Sequence, residues 1–528
     1  MKDSEQPVHE LQNALLTGVA TTGIYDFLKE TTLAVAPRLS EQTGNTVLLK
    51  REDLQPVFSF KIRGAYHKMI RLGQEGKLAA GVVACSAGNH AQGVALAAQK
   101  LNCKATIVMP EHTQQIKVNA VRHWGAEVIL RGENVDDSLL IAEQLVEKTG
   151  ACFIPPFDDA DIIAGNATIA AEIIRQHRNP IDVLFCSIGG GGLIAGIAGY
   201  IKLLRPEIRI VGVEAEDSAC MLASIQAGKR VTLDEVGRFA DAVAVKTPGR
   251  LPFNMVRQLV DQVITASNDE MCGAVKDLYE DTRVIFEPAG ALAVAGLKNY
   301  CQQNNLRQKN LIALTCGANM NFDSLKFVAE RAEIGEGREA LFGVTIPERP
   351  GAFRDFCKQI GTRSVTEFNY RMDDPERAHI FVGIRVSHDE ERRQLAKQLV
   401  ERGLDVLDLT DNETAKLHIR HMVGGRSPVP DELLYRFEFP ERPGALMNFL
   451  EMLGKQGMDW NISLFHYRNH GADVGRVLAG IQVPAAESAR FGAFLERLGY
   501  PFREESANPT YRLFLQASSS ASDASGKA

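Results

Sequence analysis

Val183-Leu184-Phe185-Cys186-Ser187-Ile188-Gly189-Gly190-Gly191-Gly192-Leu193 is an apolar run of strand length that breaks into four glycines and then enters an apolar stretch reaching Leu204. A continuous apolar run without alternation reads as a strand buried on both faces, and such strands belong to parallel sheets covered by helices. The pattern repeats on both sides. From about Leu48 to Asn319 short apolar runs alternate with longer alanine-rich segments. Gly81 to Ser86, Ala105 to Met109, Glu127 to Leu130, Ile210 to Glu214 and Leu311 to Cys316 read as further strands. Gln92 to Lys100, Asp137 to Glu147, Thr168 to Arg175 and Leu193 to Leu204 read as helices. The fold class is α/β with open parallel sheets. Such sheets hold ligands at the carboxyl ends of their strands, where the loop after Ser86, the glycine loop and the turn at Cys316 all fall.

The loops carry chemistry. Four glycines between a strand and a helix let several backbone N–H groups converge on a phosphate at the helix N-terminus. No Lys-Ser/Thr follows, so a nucleoside triphosphate loop is disfavoured, and Leu193 falls where a dinucleotide fingerprint needs its third glycine. Ser86-Ala87-Gly88-Asn89-His90 offers small residues and free N–H groups to an anion such as a substrate carboxylate. Lys61, in Ser59-Phe60-Lys61-Ile62-Arg63-Gly64-Ala65, has a mostly apolar flank and a cation two residues on, conditions that lower an amine's pKa and make it a Schiff-base nucleophile. Each stretch alone has a plain explanation: a solvated lysine, a helix cap, tight glycine packing. The three together, in this order, are what a lysine-bound pyridoxal phosphate requires.

Composition narrows the class. A chain of 528 residues is long enough for two or three domains. A formal charge of -7 with Lys and Arg dispersed leaves no basic stripe for nucleic acid. The 9 cysteines contain no C-x-x-C pair, which fits reduced thiols better than disulfides or a zinc site. The start, Met1-Lys2-Asp3-Ser4-Glu5, lacks an apolar signal core, and no stretch approaches ~18 uninterrupted apolar residues, so a cytoplasmic enzyme is expected, with no membrane partner.

After Phe327 the character changes. Glu330 to Glu339 is rich in charge and glycine and reads as a linker. Pro347-Glu348-Arg349-Pro350-Gly351-Ala352 then recurs as Pro440-Glu441-Arg442-Pro443-Gly444-Ala445, an offset of 440 - 347 = 93 residues. Tyr370-Arg371 returns as Tyr467-Arg468, and Gly383-Ile384 as Gly480-Ile481, both 97 residues on. Each copy reads as a strand (Leu341 to Ile346; Leu434 to Phe439), a Pro-Gly turn, a helix and two further strands, giving two small domains packed together. The serine-rich end is expected to be a disordered tail.

The residues resemble the fold-type II pyridoxal phosphate enzymes, which are tryptophan synthase β-like, and among them the biosynthetic threonine deaminases (threonine ammonia-lyases). The likeness covers Thr22 to Asp323 and runs through Lys50-Arg51-Glu52-Asp53, Gln55-Pro56-Val57, Ser59 to Ala65, Ser86 to His90, Pro155-Pro156-Phe157-Asp158, the four glycines, Glu287-Pro288-Ala289-Gly290-Ala291 and Cys316-Gly317-Ala318-Asn319. The repeat resembles that family's paired α+β ACT-like regulatory domains. The resemblance implies a catalytic domain over 1–330, a linker over 331–340, ACT-like domains over 341–425 and 432–516, and a tail over 517–528.

It further implies that Lys61 carries the cofactor and takes the α-proton, that Phe60 lies against the ring, and that Asn89 contacts the ring hydroxyl. Gly189, Gly190, Gly191, Gly192 and Leu193 would cradle the phosphate, and Cys316 would face the pyridine nitrogen where many relatives have serine. L-Threonine would be the substrate and isoleucine the inhibitor, with valine a further candidate effector, in a homotetramer. Tyr370 and Tyr467 are the candidate effector contacts. Thr31-Thr32-Leu33 and Gly165-Asn166-Ala167-Thr168 depart from the family's usual Thr-Pro-Leu and Gly-Gln-Gly-Thr. Glu214 and Asp217 read as strand-end carboxylates, and no metal is assigned. Two rivals stand beside this reading: another fold-type II lyase or racemase acting on serine or a related amino acid, and a non-catalytic amino-acid sensor, against which an intact Lys61 argues.

Overall fold

The computed structural model describes residues 7–237, 239–322, 324–372, 376–417, 419–421, 425, 427, 429–440, 444–456, 460–468, 474–509, 511 and 515. The chain divides into two compact units, Met1–Gly335 and Glu336–Ala528.

Among the described residues, ten strands build the first unit: β1 (Leu33–Val35), β2 (Thr46–Arg51), β3 (Val82–Cys85), β4 (Ala105–Met109), β5 (Glu127–Leu130), β6 (Cys152–Phe153), β7 (Val183–Ser187), β8 (Arg209–Ala215), β9 (Gln262–Ala266) and β10 (Asn310–Thr315). They form two sheets, a six-stranded one ordered β1-β2-β10-β7-β8-β9 and a four-stranded one ordered β5-β4-β3-β6. All pairings are parallel except β1 on β2. Every residue of β3, β4 and β7 is buried, as continuous apolar runs demand when helices cover both faces.

The expected strands are present with ends shifted by a residue, but β1, β2, β6 and β9 were not anticipated. Two of these are very short, and β2 carries Lys50 and Arg51, charges that argue against a central strand until their partners are known. The helix expected from Thr168 starts at Ala160, because Asp159 caps it, accepting from the N–H groups of Asp161 and Ile162 at 2.9 and 3.1 Å. Gly165-Asn166-Ala167-Thr168 is therefore helix interior. Gly165 is a contact point, since a Cβ there would lie 2.5 Å from the Arg63 carbonyl oxygen on the helix Lys61–Gln74.

The boundary also differs from expectation. Helix Ser324–Gly335 and strand β11 (Glu339–Pro347) occupy most of the stretch read as a linker, leaving three residues, Glu336, Gly337 and Arg338, between them. The charges that suggested a linker are helix charges with partners: Glu333 pairs with Lys276 at 2.5 Å and Arg331 with Asp269.

The second unit adds β12 (Val365–Arg371), β13 (Arg377–Arg385), β14 (Asp405–Asp408), β15 (Glu432–Pro440), β16 (Ile462–Arg468), β17 (Val474–Gln482) and β18 (Phe502–Glu504). Each repeat is longer than the sequence suggested. After its helix (Ala352–Ile360; Ala445–Gln456) and two strands come a second helix (Asp389–Glu401; Ser488–Leu498) and a short edge strand. These last pieces share only scattered residues at the offset of 97, such as Arg393 with Arg490 and Ala396 with Ala493, too few to mark a motif. Nor are the repeats separate sheets. They merge into one eight-stranded sheet ordered β14-β11-β13-β12-β16-β17-β15-β18, joined where β12 pairs antiparallel with β16.

At that seam Asn369 faces His466, its own counterpart at the offset of 97, so a local twofold passes between the copies. Gly351 and Gly444 adopt matching left-handed φ of 86° and 87°, which explains why both turns need glycine. Of the second Pro-Gly motif, residues 441–443 lie outside the described residues, as does the expected tail at 517–528. Phenylalanines dominate the core here, among them Phe353, Phe356, Phe368, Phe437, Phe449 and Phe465.

Candidate active site and a second cavity

Lys61 opens the helix Lys61–Gln74, and the three residues before it are stitched to the turn that follows β10. Phe60 N–H donates to the Cys316 carbonyl at 3.1 Å, Ser59 bridges Gly317, and Ala318 N–H donates to the Phe58 carbonyl at 2.9 Å. Sequence positions 61 and 316 are thus brought together by backbone hydrogen bonds. The Lys61 ammonium donates to the Pro156 carbonyl at 3.0 Å and lies 5.3 Å from the centre of the Phe60 ring. Burial lowers its pKa to about 8, against the opposing pull of Cys316 and Glu287.

The four glycines run from β7 into helix Gly192–Leu204, with Gly191 left-handed at φ 91°. They are pressed by Phe157: a Cβ on Gly190 would lie 2.3 Å from that ring, and one on Gly192 2.8 Å from its carbonyl oxygen. No larger residue fits. Among the described residues no acceptor faces the N–H groups of Gly190, Gly191, Gly192 or Leu193, the unpaired donors of a helix start. Asn166 Nδ2 donates to the Gly192 carbonyl at 3.3 Å, while its buried Oδ1 has no partner.

Asn89 begins helix Asn89–Lys100 after β3. Its Nδ2 donates to Glu287 Oε1 at 2.6 Å and its Oδ1 accepts from Asn319 Nδ2 at 2.8 Å. Burial, aided by Asp241, pushes the Glu287 carboxyl up to about 7. Cys316 Sγ contacts the Ala289 carbonyl at 3.3 Å, and burial pushes this thiol up to about 12, so it is neutral at physiological pH. Lys61, Phe60, Asn89, the glycines, Leu193 and Cys316 all line one cavity, together with Phe157, Asn166 and Glu287. The loops come from both sheets of the first unit, β3 from one and β7 and β10 from the other, where the sequence suggested a single rim.

Not every expected residue reaches it. Among the lining side chains of the Ser86 to His90 loop only Asn89 is present. Ser86 Oγ accepts from the Gly88 N–H at 3.2 Å, and His90 turns away to the Ile154 carbonyl at 2.8 Å, where burial drives its pKa down to about 3. Glu214 is spent on the N–H groups of Met221 and Leu222, both at 2.8 Å. Glu287, Asn166 and Pro156 carry no role in the reading of the sequence. The first two are polar groups in otherwise small or apolar motifs, which was a usable signal, whereas a carbonyl acceptor leaves no mark on sequence.

Two roomier cavities lie elsewhere, of about 310 and 270 Å³ against about 40 Å³ here, so lining chemistry and not volume marks the catalytic position. The fit to pyridoxal phosphate rests on that chemistry: an amine of depressed pKa, a side-chain-free loop with unpaired N–H donors, and an unpartnered buried amide oxygen. The cavity of about 270 Å³ is in the second unit, between the two repeats. Ile346, Ile380, Leu450 and Ile462 give it apolar walls, and Glu348 accepts from the Tyr370 hydroxyl and, at 3.0 Å, from Asn461 Nδ2. Tyr370 is thus brought to a cavity. Tyr467, opposite Phe368 on β16, does not line it.

Comparison with known proteins agrees with this architecture. Residues 24–317 match the family of pyridoxal-phosphate dependent enzymes, and residues 330–419 and 423–515 match the C-terminal regulatory domain of threonine dehydratase. The chain is 54% identical over 504 residues to the biosynthetic L-threonine dehydratase of Burkholderia multivorans, covering 95% of this chain and 99% of that one. It is 49% identical over 502 residues to that of Escherichia coli, covering 95% and 96%. The solved structure of the processed form of threonine deaminase isoform 2 from Solanum lycopersicum superimposes with a TM-score of 0.60 at 44% identity, over 62% of this chain and 94% of that one. The chain belongs to the pyridoxal-phosphate-dependent enzymes, and among them to the biosynthetic threonine dehydratases with a C-terminal regulatory domain. Among the described residues no helix is long and apolar enough to cross a membrane.

Proposed function

We propose that the chain eliminates water from L-threonine to give 2-oxobutanoate and ammonia, with Lys61 as the base, and that isoleucine inhibits it through the cavity at Tyr370. The observation that carries the catalytic half is the convergence of Lys61, the four glycines and Asn89 on one cavity. Bound pyridoxal phosphate would supply the electron sink for bond breaking at Cα. The N–H groups of Gly190 to Leu193 would hold its phosphate, Asn89 its ring hydroxyl, and Phe60 would pack beside the ring. Lys61 Nζ takes the α-proton in its neutral form, which burial makes accessible near pH 8. The Pro156 carbonyl orients that nitrogen at 3.0 Å. Departure of the β-hydroxyl as water and later hydrolysis balance the reaction, with ammonia and the 2-oxo acid as products.

The effector half is supported by a cavity with aliphatic walls and a carboxylate, Glu348, a lining suited to the side chain and ammonium of an aliphatic amino acid. We place the catalytic domain in the first unit, ending at Gly335, the two ACT-like domains in the second, and the assembly as a cytoplasmic homotetramer. Production of 2-oxo acid from L-threonine and from L-serine, each with and without isoleucine, tests the whole. Turnover of threonine that isoleucine suppresses is expected; racemised serine without ammonia release would replace the reading with that of a racemase.

Cys316 gives a sharper check. With pyridoxal phosphate bound, Cys316 would meet the ring nitrogen as a neutral thiol that does not protonate it, and a hydroxyl there would do the same. Cys316→Ser should therefore keep most of the activity, while Cys316→Asp should lower kcat about tenfold or more by favouring ring protonation. Equal kcat and products for all three proteins would remove Cys316 from the nitrogen.

A further inference from the structure

Two residues along the helix from Lys61, Arg63 joins a cluster of four charges with no exposed surface: Lys50, Glu52, Arg63 and Glu172. Glu172 is its hub. Its two oxygens accept from Lys50 Nζ at 2.6 Å, from Arg63 Nη1 and Nη2 at 2.5 and 2.9 Å, from the Thr31 N–H at 3.2 Å and from the Tyr25 hydroxyl at 2.9 Å. Arg63 also donates through Nε and Nη2 to Glu52 at 2.7 and 2.9 Å and through Nη1 to Thr168 Oγ1 at 3.1 Å. Lys50 Nζ completes its set with the Thr31 carbonyl at 2.7 Å and Gln176 Oε1 at 3.0 Å. Burial raises the Glu172 carboxyl, but Arg63 and Lys50 outweigh it and hold the group below its usual range.

Four buried charges are an unpromising source of stability, because desolvation consumes most of the Coulombic gain and apolar replacements of similar volume do as well. Their directionality is a different matter. Arg63 stands two residues after Lys61 on the same helix, and its planar fork fixes that helix in rotation as well as distance. Glu172 and Thr168 stand on helix Ala160–Gln176, whose Asn166, nearly two turns earlier, bonds the Gly192 carbonyl of the phosphate loop. The two helices touch through glycine, with Gly64 and Gly165 too close for any Cβ. One helix thus grips the lysine on one side and the glycine loop on the other.

We infer that Glu172 is a positioning residue for the reaction: through Arg63 it sets where Lys61 stands relative to the glycine loop, and hence how the lysine meets the bound cofactor and the α-proton. A displacement of ~1 Å in such a site can lower a rate by ~100-fold without loss of the fold. The inference rests on the assignment of Lys61 made above.

Glu172→Gln in the cofactor-loaded protein tests it, with kcat expressed per bound pyridoxal phosphate well below the melting temperature. Expected are a kcat at least about tenfold lower, a KM for threonine within about threefold, and a visible circular dichroism band of the bound cofactor altered in intensity, since that band reports ring orientation without turnover. The charge-balanced Lys50→Met/Glu172→Gln protein should regain melting temperature but not kcat or the band. A role in stability alone predicts the reverse: normal kcat and band per loaded site in the single variant, or recovery of all three properties in the double, and either result overturns the inference. Should neither fold, Thr168→Val, which removes a hydroxyl that accepts from Arg63 and donates to the Gly165 carbonyl at 2.6 Å, carries the same readouts; a severalfold lower kcat with a changed band supports positioning, and wild-type values refute it. If Lys61 itself were misassigned, Lys61→Ala would stay active, whereas failure of this inference alone leaves Lys61→Ala inactive and Glu172→Gln normal.

Discussion

Lys61→Ala is expected to fold, to bind pyridoxal phosphate without a covalent link, and to lose at least about 10⁴-fold in 2-oxobutanoate formation. General-base catalysis alone contributes ~10² to 10⁴-fold, or about 3 to 5.5 kcal/mol at 1.36 kcal/mol per decade, and the covalent role adds to it. The fold should survive because Lys61 makes one side-chain hydrogen bond, to the Pro156 carbonyl, while the helix it opens is held by Arg63 and by buried Ile62, Ala65 and Met69. Steady-state assay with a cofactor-loading measurement decides. Near-wild-type turnover in the loaded variant would end the assignment. The intact enzyme carries a companion signature: since the neutral amine is the base and its pKa is held down to about 8, kcat should rise as pH climbs through about 8 and level off above it. A base of ordinary lysine pKa would still be gaining at pH ~10.

How much of this was written in the sequence depends on what each residue answers to. The glycine loop and Lys61 were legible because backbone access and an apolar flank are local properties. The buried strands were legible for the same reason, as uninterrupted apolar runs. Lys50 and Arg63 were not, since four charges at zero exposure make sense only once Glu52 and Glu172, up to 122 residues away, are seen between them. His90 shows another limit, the direction of a side chain. Its place in a small-residue loop suggested an anion site, but the first turn of a helix sends neighbouring side chains in different directions, and His90 went to the core while Asn89 went to the cavity. Helix Ser324–Gly335 was hidden by its charges, which pair with Asp269 and Lys276 of helix Asn268–Thr282 instead of marking a linker.

That helix fixes where the chain can be divided. A protein ending at Gly335 is expected to remain soluble, bind pyridoxal phosphate and deaminate threonine, but to have lost its response to isoleucine. Ending two residues earlier would be worse, because it removes buried Ile334 and also Gly335, which packs against the Asp269 carbonyl. Every residue of the catalytic cavity lies at or before Cys316, and the first unit is compact by itself. The cavity lined by Tyr370 and Glu348 lies wholly in the second unit. Inhibition requires that isoleucine bind one state of the enzyme better than another, and couplings of ~1 to 3 kcal/mol alter apparent substrate affinity ~5 to 150-fold. Removing the second unit removes that difference and should leave the threonine saturation curve unchanged by isoleucine at any concentration. Some absolute rate would be lost if the repeats also help hold the oligomer together, so the quantity that decides is the ratio of rates with and without isoleucine. An active truncated protein that isoleucine still inhibits as strongly as the full chain would move the effector site into the catalytic unit.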